Sequence, residues 1–190
     1  MWKKYIFLER RELIESMLRR GSSSCEVLLG FTRALPTIVT YGPAGLNACI
    51  KMVGLMPKEK YLGDIINSLR SLAKHGSSRT EIARFLLEKI YVDEILDLGK
   101  LFTVELVGGR TKTNIEATHS AVLLFFTPPS TSIMVKAEVT IHRDDIIFEY
   151  ANLMHDIYHG GRQNWGPAYV FHVREIWDKS VGRYGVRIYP

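Results

Sequence analysis

The apolar residues of the first half of the chain recur at helical spacing. Ile6, Leu13 and Met17 can share one helix face, with the neighbouring arginines pointing outward. Ser78 followed by Glu81 has the spacing of a capping box, which starts a helix. Single helices of this length are marginal in water, so the pattern predicts a bundle. The predicted helices cover residues 3–20, 24–35, 43–53, 61–75 and 78–98.

After Gly99 the period of the apolar residues falls to two, which is typical of strands. Gly108-Gly109 fits the turn of a hairpin. Strands are predicted at residues 101–107, 110–116, 119–126 and 133–141, helices at 146–159 and from Pro167, and the tail at 184–189 can add a strand. The sequence therefore predicts an α+β fold. Residues 1–99 form a basic N-terminal helical bundle, and residues 100–190 form a small antiparallel sheet with two packed helices.

Composition narrows the class of protein without naming a function. The 190 residues are 46% apolar, and no apolar run approaches the roughly 20 residues that a membrane helix needs. Charge follows the first apolar residues too soon for a signal peptide, so a cytoplasmic protein with no membrane partner is expected. Cys25 and Cys49 fall in apolar patterns and are predicted to be buried free thiols.

The net charge of +5 favours an anionic partner only mildly. Basic residues nevertheless gather at the turn between the last two predicted helices, at the predicted hairpin tip and at the end of the first helix. Such positions suit contacts with a phosphate backbone, although a solvated surface interleaved with acids is the alternative. The predicted nucleic-acid-binding residues are Arg19, Arg20, Arg70, Lys74, Arg79, Arg84, Arg110 and Lys112.

No catalytic motif is present. The sequence has no nucleophile elbow and no phosphate-binding loop of a known type, so no enzyme, catalytic residue, cofactor or metal is predicted. His155 and His159 are four residues apart on a predicted helix and could bind a metal ion in a metal-dependent enzyme, which is the least favoured alternative. The cluster from His142 to Asp145 is explained more simply by capping of the following helix.

The turn at residues 69–86 suggests a second function. Its phrase Thr80-Glu81-Ile82-Ala83 resembles the helix that precedes the recognition helix of winged-helix transcription regulators, and residues 102–113 could be the wing. This resemblance implies a DNA-binding regulator. The run from residue 80 to residue 98 continues without a turn signal, which favours a packing helix beside a basic turn.

A different resemblance covers about 100 residues. The segment Arg33-Ala34-Leu35-Pro36-Thr37-Ile38, leading to Tyr41-Gly42-Pro43-Ala44-Gly45-Leu46, resembles the small subunits of archaeal type I-A CRISPR effector complexes. The resemblance implies a non-catalytic subunit that helps hold RNA or DNA. Its partners would be other subunits of the assembly, including copies of itself. This is the preferred functional hypothesis from the sequence.

Overall fold

A computed structural model describes residues 1–20, 30, 32–74, 77–159 and 165–189, without the side chains of Arg20 and Lys74. The α-helices are Glu9–Arg20 (α1), Glu59–Lys74 (α2), Arg79–Phe85 (α3), Arg110–Thr118 (α4) and Ile146–His159 (α5). Two π-helical turns, Lys4–Leu8 and Leu86–Ile90, adjoin α1 and α3. The strands are Thr37–Thr40 (β1), Asn47–Ile50 (β2), Gly54–Pro57 (β3), Leu96–Val104 (β4), Ser120–Thr127 (β5), Thr131–His142 (β6), Ala168–Asp178 (β7) and Val186–Tyr189 (β8).

The eight strands form one antiparallel sheet. Their order is β2-β1-β5-β6-β7-β4-β3, and β8 pairs with β7. Along β6 the side chains alternate between buried and more exposed positions, as expected for a strand with one face in the core. The long strands β5, β6 and β7 lie next to one another, so the sheet is the framework on which the helices pack.

The helices bury the inner face of the sheet. Tyr150 of α5 is fully buried, donates a hydrogen bond to the carbonyl oxygen of Leu55 (2.9 Å) and meets the ring of Phe102 edge to face. The N-terminal segment packs on the other end of the sheet, where the hydroxyls of Tyr5 and Thr127 lie 2.9 Å apart. One core therefore joins the first and second halves of the chain.

The predicted fold class is wrong, because residues 1–99 do not form a helical bundle. Where a helix is predicted at residues 43–53, the structure has β2, followed by β3. Four-residue strands are too short to display a period of two, and pairing with β5 decides the structure of β1. The division at residue 99 stays a prediction, although β4 runs across it and both segments supply strands to one sheet.

Strand β7 is predicted as a helix. Ala168, Tyr169, Val170 and Phe171 are all buried, since β7 lies between β6 and β4 and is covered on both faces. A strand buried on both faces shows no alternation, so its apolar run imitates a buried helix. The predicted strand at residues 110–116 is instead α4, and the predicted long helix ends at Ile90.

Other predictions are confirmed. Helix α1, strands β5, β6 and β8 and helix α5 lie close to their predicted positions. The capping box of α3 is present, since the Glu81 N–H donates to Ser78 Oγ (3.2 Å) and the Ser78 N–H donates to Glu81 Oε2 (2.7 Å). Cys49 is a free, half-buried thiol. Cys25 and most of the predicted second helix lie outside the described residues.

No helix in the described ranges has the length and apolar content to span a membrane.

Candidate functional site

A cavity of about 1150 Å³ lies between the inner side of the sheet and the helices. Apolar side chains such as Val53, Leu55, Phe102, Met154 and Ile157 form most of its wall. Its size and apolar lining are those of a site for a small organic molecule. The few polar groups in the wall therefore determine which molecule it can hold.

Helix α4 begins at the cavity wall with its N-terminus open. Gly108 and Gly109 have φ angles of 76° and 140°, a region that favours glycine, and both line the cavity. No side chain among the described residues caps the helix, and its first turn contains no acid. The first turn instead carries Arg110 and Lys112. The positive end of the helix dipole and the free N–H groups of this turn can therefore accept an anion.

The start of α4 is held in place by the β1–β2 hairpin. Asn47 Nδ2 donates to Thr111 Oγ1 (2.7 Å), and Thr111 Oγ1 donates to Cys49 Sγ (3.2 Å). Asn114, which is fully buried, accepts the Ala44 N–H at Oδ1 (2.9 Å). The helix start is therefore fixed before any ligand binds, which lowers the entropy cost of binding.

A buried ion pair lies beside this helix start. Lys51 Nζ is 2.9 Å from Glu105 Oε2, without hydrogen-bond geometry, and the Gly108 N–H donates to Glu105 Oε1 (3.1 Å). Glu105 is only 5% exposed, so the charge of Lys51 compensates a carboxylate that would otherwise be costly to bury. The positive charge of Lys51 also reduces the repulsion between the Glu105 carboxylate and an anion bound at the start of α4.

Arg10 is a second polar group in the wall. It is 5% exposed, and its Nη atoms donate to the carbonyl oxygens of Val53 (3.2 Å) and Arg33. Its Nε has no hydrogen-bond partner among the described residues. A buried donor without a partner is unfavourable.

Histidines of α5 complete the polar part of the wall. The rings of His155 and His159 lie 4.2 Å apart, and burial, followed by the charge of His159, lowers the pKa of His155. His155 is therefore neutral at pH 7 and can accept a hydrogen bond. Among the described residues no group of three His, Cys, Asp or Glu side chains could hold a metal ion.

The predicted nucleic-acid-binding residues do not share one surface. Arg79 and Arg110 line the cavity, and Lys112 is in the first turn of α4. Arg70 forms a bidentate ion pair with Glu149. Arg19 is paired with Glu15 along α1, and Arg84 is exposed at the end of α3. The side chains of Arg20 and Lys74 lie outside the described residues.

Sequence reasoning missed most of the polar cavity wall. The residues concerned are Arg10, Asn47, Lys51, Glu105 and Thr111. One local signal was available, since two glycines followed by Arg110, Thr111 and Lys112 also fit a helix start that binds an anion. The other four residues are brought to the cavity by the tertiary fold, which no local pattern shows.

Two solved structures share the fold along nearly the whole chain. HupZ of Group A Streptococcus has a TM-score of 0.50 at 14% identity, covering 96% of this chain and 98% of HupZ. A Clostridium acetobutylicum protein of the pyridoxinephosphate oxidase family, related to general stress protein 26 of B. subtilis, has a TM-score of 0.51 at 14% identity, covering 95% of each chain. This chain therefore has a fold like that of the pyridoxinephosphate oxidase family. No protein-family model matches the sequence, and no curated protein matches it.

These findings overturn the functional hypotheses drawn from the sequence. The chain does not have the fold of a CRISPR small subunit, and the predicted function in RNA or DNA binding within such a complex is wrong. The winged-helix alternative is also wrong. The residues predicted as a wing include helix α4, and β4 follows the π-helical turn Leu86–Ile90 where a recognition helix is needed.

Proposed function

We propose that the protein binds an aromatic phosphate ester in the cavity, with the phosphate group at the N-terminus of α4. The observation that carries this proposal is the uncapped start of α4 in the cavity wall, with Arg110 and Lys112 in its first turn. Backbone N–H groups at such a terminus bind phosphate oxygens, and the Arg110 guanidinium adds charge-assisted hydrogen bonds.

The apolar wall supports an aromatic ring as the other end of the ligand. Tyr158 and Met17 line the cavity and are 42% and 45% exposed, so they offer ring and thioether surfaces against which an aromatic ring packs well. The neutral His155 can accept a hydrogen bond from a ring N–H. The name of the family that the Clostridium structure belongs to also refers to the phosphate ester of a heteroaromatic ring.

The direct test compares phosphate esters with the corresponding alcohols. Flavin mononucleotide and pyridoxal 5′-phosphate are titrated against riboflavin and pyridoxal, with binding followed by calorimetry. We expect at least one ester to bind about 100-fold more tightly than its alcohol, because charge-assisted hydrogen bonds contribute about 1.5–3 kcal/mol each. Equal affinities for ester and alcohol in both pairs would contradict the proposal.

Thr111→Val provides a variant of similar shape for this test. It removes the hydroxyl held between Asn47 and Cys49, so we expect a looser helix start and weaker binding of the ester only. The absence of catalysis, association with other subunits or copies of the chain, and a cytoplasmic location stay predictions from the sequence.

A further inference from the structure

Four polar side chains form a hydrogen-bonded chain at the end of β6. They are Thr140, His142, Asp145 and His172, and we call them the histidine relay. Thr140 alternates along β6 with the buried Val139, so it projects from the face of the sheet opposite to that residue. None of the four lines the cavity. The histidine relay is therefore separate from the proposed ligand site.

Both histidine rings lie within hydrogen-bond distance of the Thr140 hydroxyl. Asp145 Oδ2 is 2.5 Å from His142 Nδ1, and His142 Nε2 is 2.9 Å from Thr140 Oγ1. His172 Nε2 is also 2.9 Å from Thr140 Oγ1. The threonine hydroxyl is thus the point at which two imidazoles meet.

The direction of each bond follows if the His142 ring is neutral. Burial acts to raise the pKa of Asp145, but hydrogen bonds from His142 and from the Phe148 N–H outweigh it, so the pKa is lowered and Asp145 is a carboxylate at pH 7. His142 Nδ1 must then donate to Asp145, and in the neutral ring Nε2 is an acceptor. A hydroxyl has one proton. With His142 neutral, Thr140 donates to His142 Nε2 and accepts from His172 Nε2.

This order of groups is that of an activated nucleophile: a hydroxyl, an imidazole base and a carboxylate that orients the base. We propose that Thr140 is the nucleophile of a second site that hydrolyses neutral carboxylic esters, with His142 as general base and Asp145 as the positioning residue. Water and small substrates can reach these groups, since the side chains of His142 and Asp145 are 16% and 46% exposed.

A groove lies near the histidine relay, further along β6, and none of the four relay residues lines it. It has a volume of about 460 Å³, and its wall includes Lys136, Glu138, Arg174 and Glu175. Glu138 is two residues from Thr140 on β6 and pairs with His172 in the register of β6 and β7. Each cation in the wall is paired with an acid, Lys136 with Glu175 (2.9 Å) and Arg174 with Glu138. The neighbouring charges are therefore compensated, and beside the Asp145 carboxylate an uncharged ester meets less repulsion than an anion does.

The proposed reaction needs only the ester and water. Thr140 Oγ1 forms a bond to the ester carbonyl carbon while its proton passes to His142 Nε2. The bond from that carbon to the alcohol oxygen then breaks, and His142 returns the proton to the departing alcohol. Water, deprotonated by His142, attacks the acyl-threonine, releases the carboxylic acid and restores the Thr140 hydroxyl.

The test measures hydrolysis of p-nitrophenyl acetate by the full chain and by Thr140→Ala. We expect the variant to lose about 100-fold in rate, the size of a general-base contribution. Thr140→Ser should retain the activity, because it keeps the hydroxyl. His142→Asn should resemble Thr140→Ala, while Asp145→Asn should lower the rate and move the pH profile. Quenched wild-type protein should carry an acetyl group on Thr140 by peptide mass spectrometry.

Two controls separate this mechanism from hydrolysis by surface imidazoles. Thr140→Ala keeps all six histidines, and Thr131→Ala changes a threonine at the other end of β6 and should leave the rate unchanged. An unchanged rate in Thr140→Ala, with circular dichroism showing a folded protein, would overturn the proposal. So would an acetyl group found only on lysine or histidine.

Discussion

The cavity wall contains a cation without an ionic partner among the described residues as well as the pair of Lys51 and Glu105, whereas the cations of β6 and β7 on the outer face of the sheet are paired. On the outer face, ion pairs join Lys136 to Glu175 (2.9 Å) and Arg174 to Glu138. At the cavity wall, Arg110 has no ion pair or side-chain hydrogen bond with any described residue. The open helix start beside it also has no acidic partner in its first turn.

This difference in charge pairing gives the cavity and the outer face of the sheet different chemical properties. An uncompensated positive helix terminus can bind an anion, and salt weakens this binding because Gly108, Gly109 and Arg110 are exposed to water. A face on which charges and hydroxyls are already paired has little affinity left for an ion, but its hydrogen bonds can pass a proton. We therefore assign recognition to the cavity and proton transfer to the histidine relay.

The largest loss of stability is expected from Gly166→Ala, which changes the contact with the Glu105 backbone at the cavity wall. A Cβ at this position would lie 1.7 Å from the carbonyl oxygen of Glu105, and backbone cannot yield as a flexible side chain can. We expect a loss of about 3 kcal/mol in the free energy of unfolding, as for severe overpacking, together with loss of ester binding. Urea denaturation and calorimetry measure the two effects.

Gly63→Ala is the matched control for that variant. Gly63 lies in α2, and a Cβ there meets nothing within 4 Å. The substitution should raise stability by up to about 1 kcal/mol through helix propensity. If Gly166→Ala were as stable as the wild type, the close contact between residue 166 and the Glu105 backbone would not be present in solution.

A smaller loss in the free energy of unfolding is expected when the pH is lowered. It comes from one histidine in each of the two regions. Burial is the main cause that lowers the pKa of His155 in the cavity and of His172 in the histidine relay. The unfolded chain therefore takes up these protons at a higher pH than the folded chain does. The stability from the two histidines is complete above the ordinary histidine pKa of about 6.5 and decreases as the pH falls below it.

Urea midpoints at about pH 7.5 and about pH 5.5 measure this loss. His172→Asn should reduce the difference between the two midpoints by removing one of the two groups. A variant that shows the full wild-type difference would mean that His172 is not buried as described.

The smallest effect is expected from Arg70→Ala. Arg70 pairs with Glu149 between α2 and α5, but half of its side chain is exposed. Water screens such pairs, so the loss in the free energy of unfolding should stay below about 1 kcal/mol. Thermal denaturation with and without added salt measures it. A much larger loss would contradict the expectation that a paired, half-exposed surface charge contributes little to stability.

The sequence predicts the parts of the fold in which local pattern and environment agree. Strand β6 has one buried face, and the large apolar residues Tyr150, Met154 and Ile157 of α5 recur at helical spacing, so both elements are found at their predicted positions. Strand β7 is covered on both faces and loses its alternation, and β1 and β2 take their conformation from pairing with β5 and with each other.

The candidate site was harder to predict than the fold elements, because segments far apart in the sequence form it. Arg110 and Lys112 are identified from the sequence as phosphate-contacting residues, but a strand is predicted where they start a helix. Lys51 and Glu105 are far apart in sequence, and only the antiparallel pairing of β3 with β4 brings their segments together. Charge at single positions can be found in a sequence, whereas a cavity depends on contacts between distant segments.

The most direct test of the central claim measures the affinity of Arg110→Glu for a phosphate ester and for its alcohol. A glutamate in the first turn suits the helix dipole, so the fold should be at least as stable as the wild type, while the phosphate meets a negative charge. Arg84→Glu, outside the cavity, is the matched control. We predict about a 100-fold loss of affinity for the ester and no change for the alcohol. Equal losses for ester and alcohol, or none for either, would contradict a phosphate site at the start of α4.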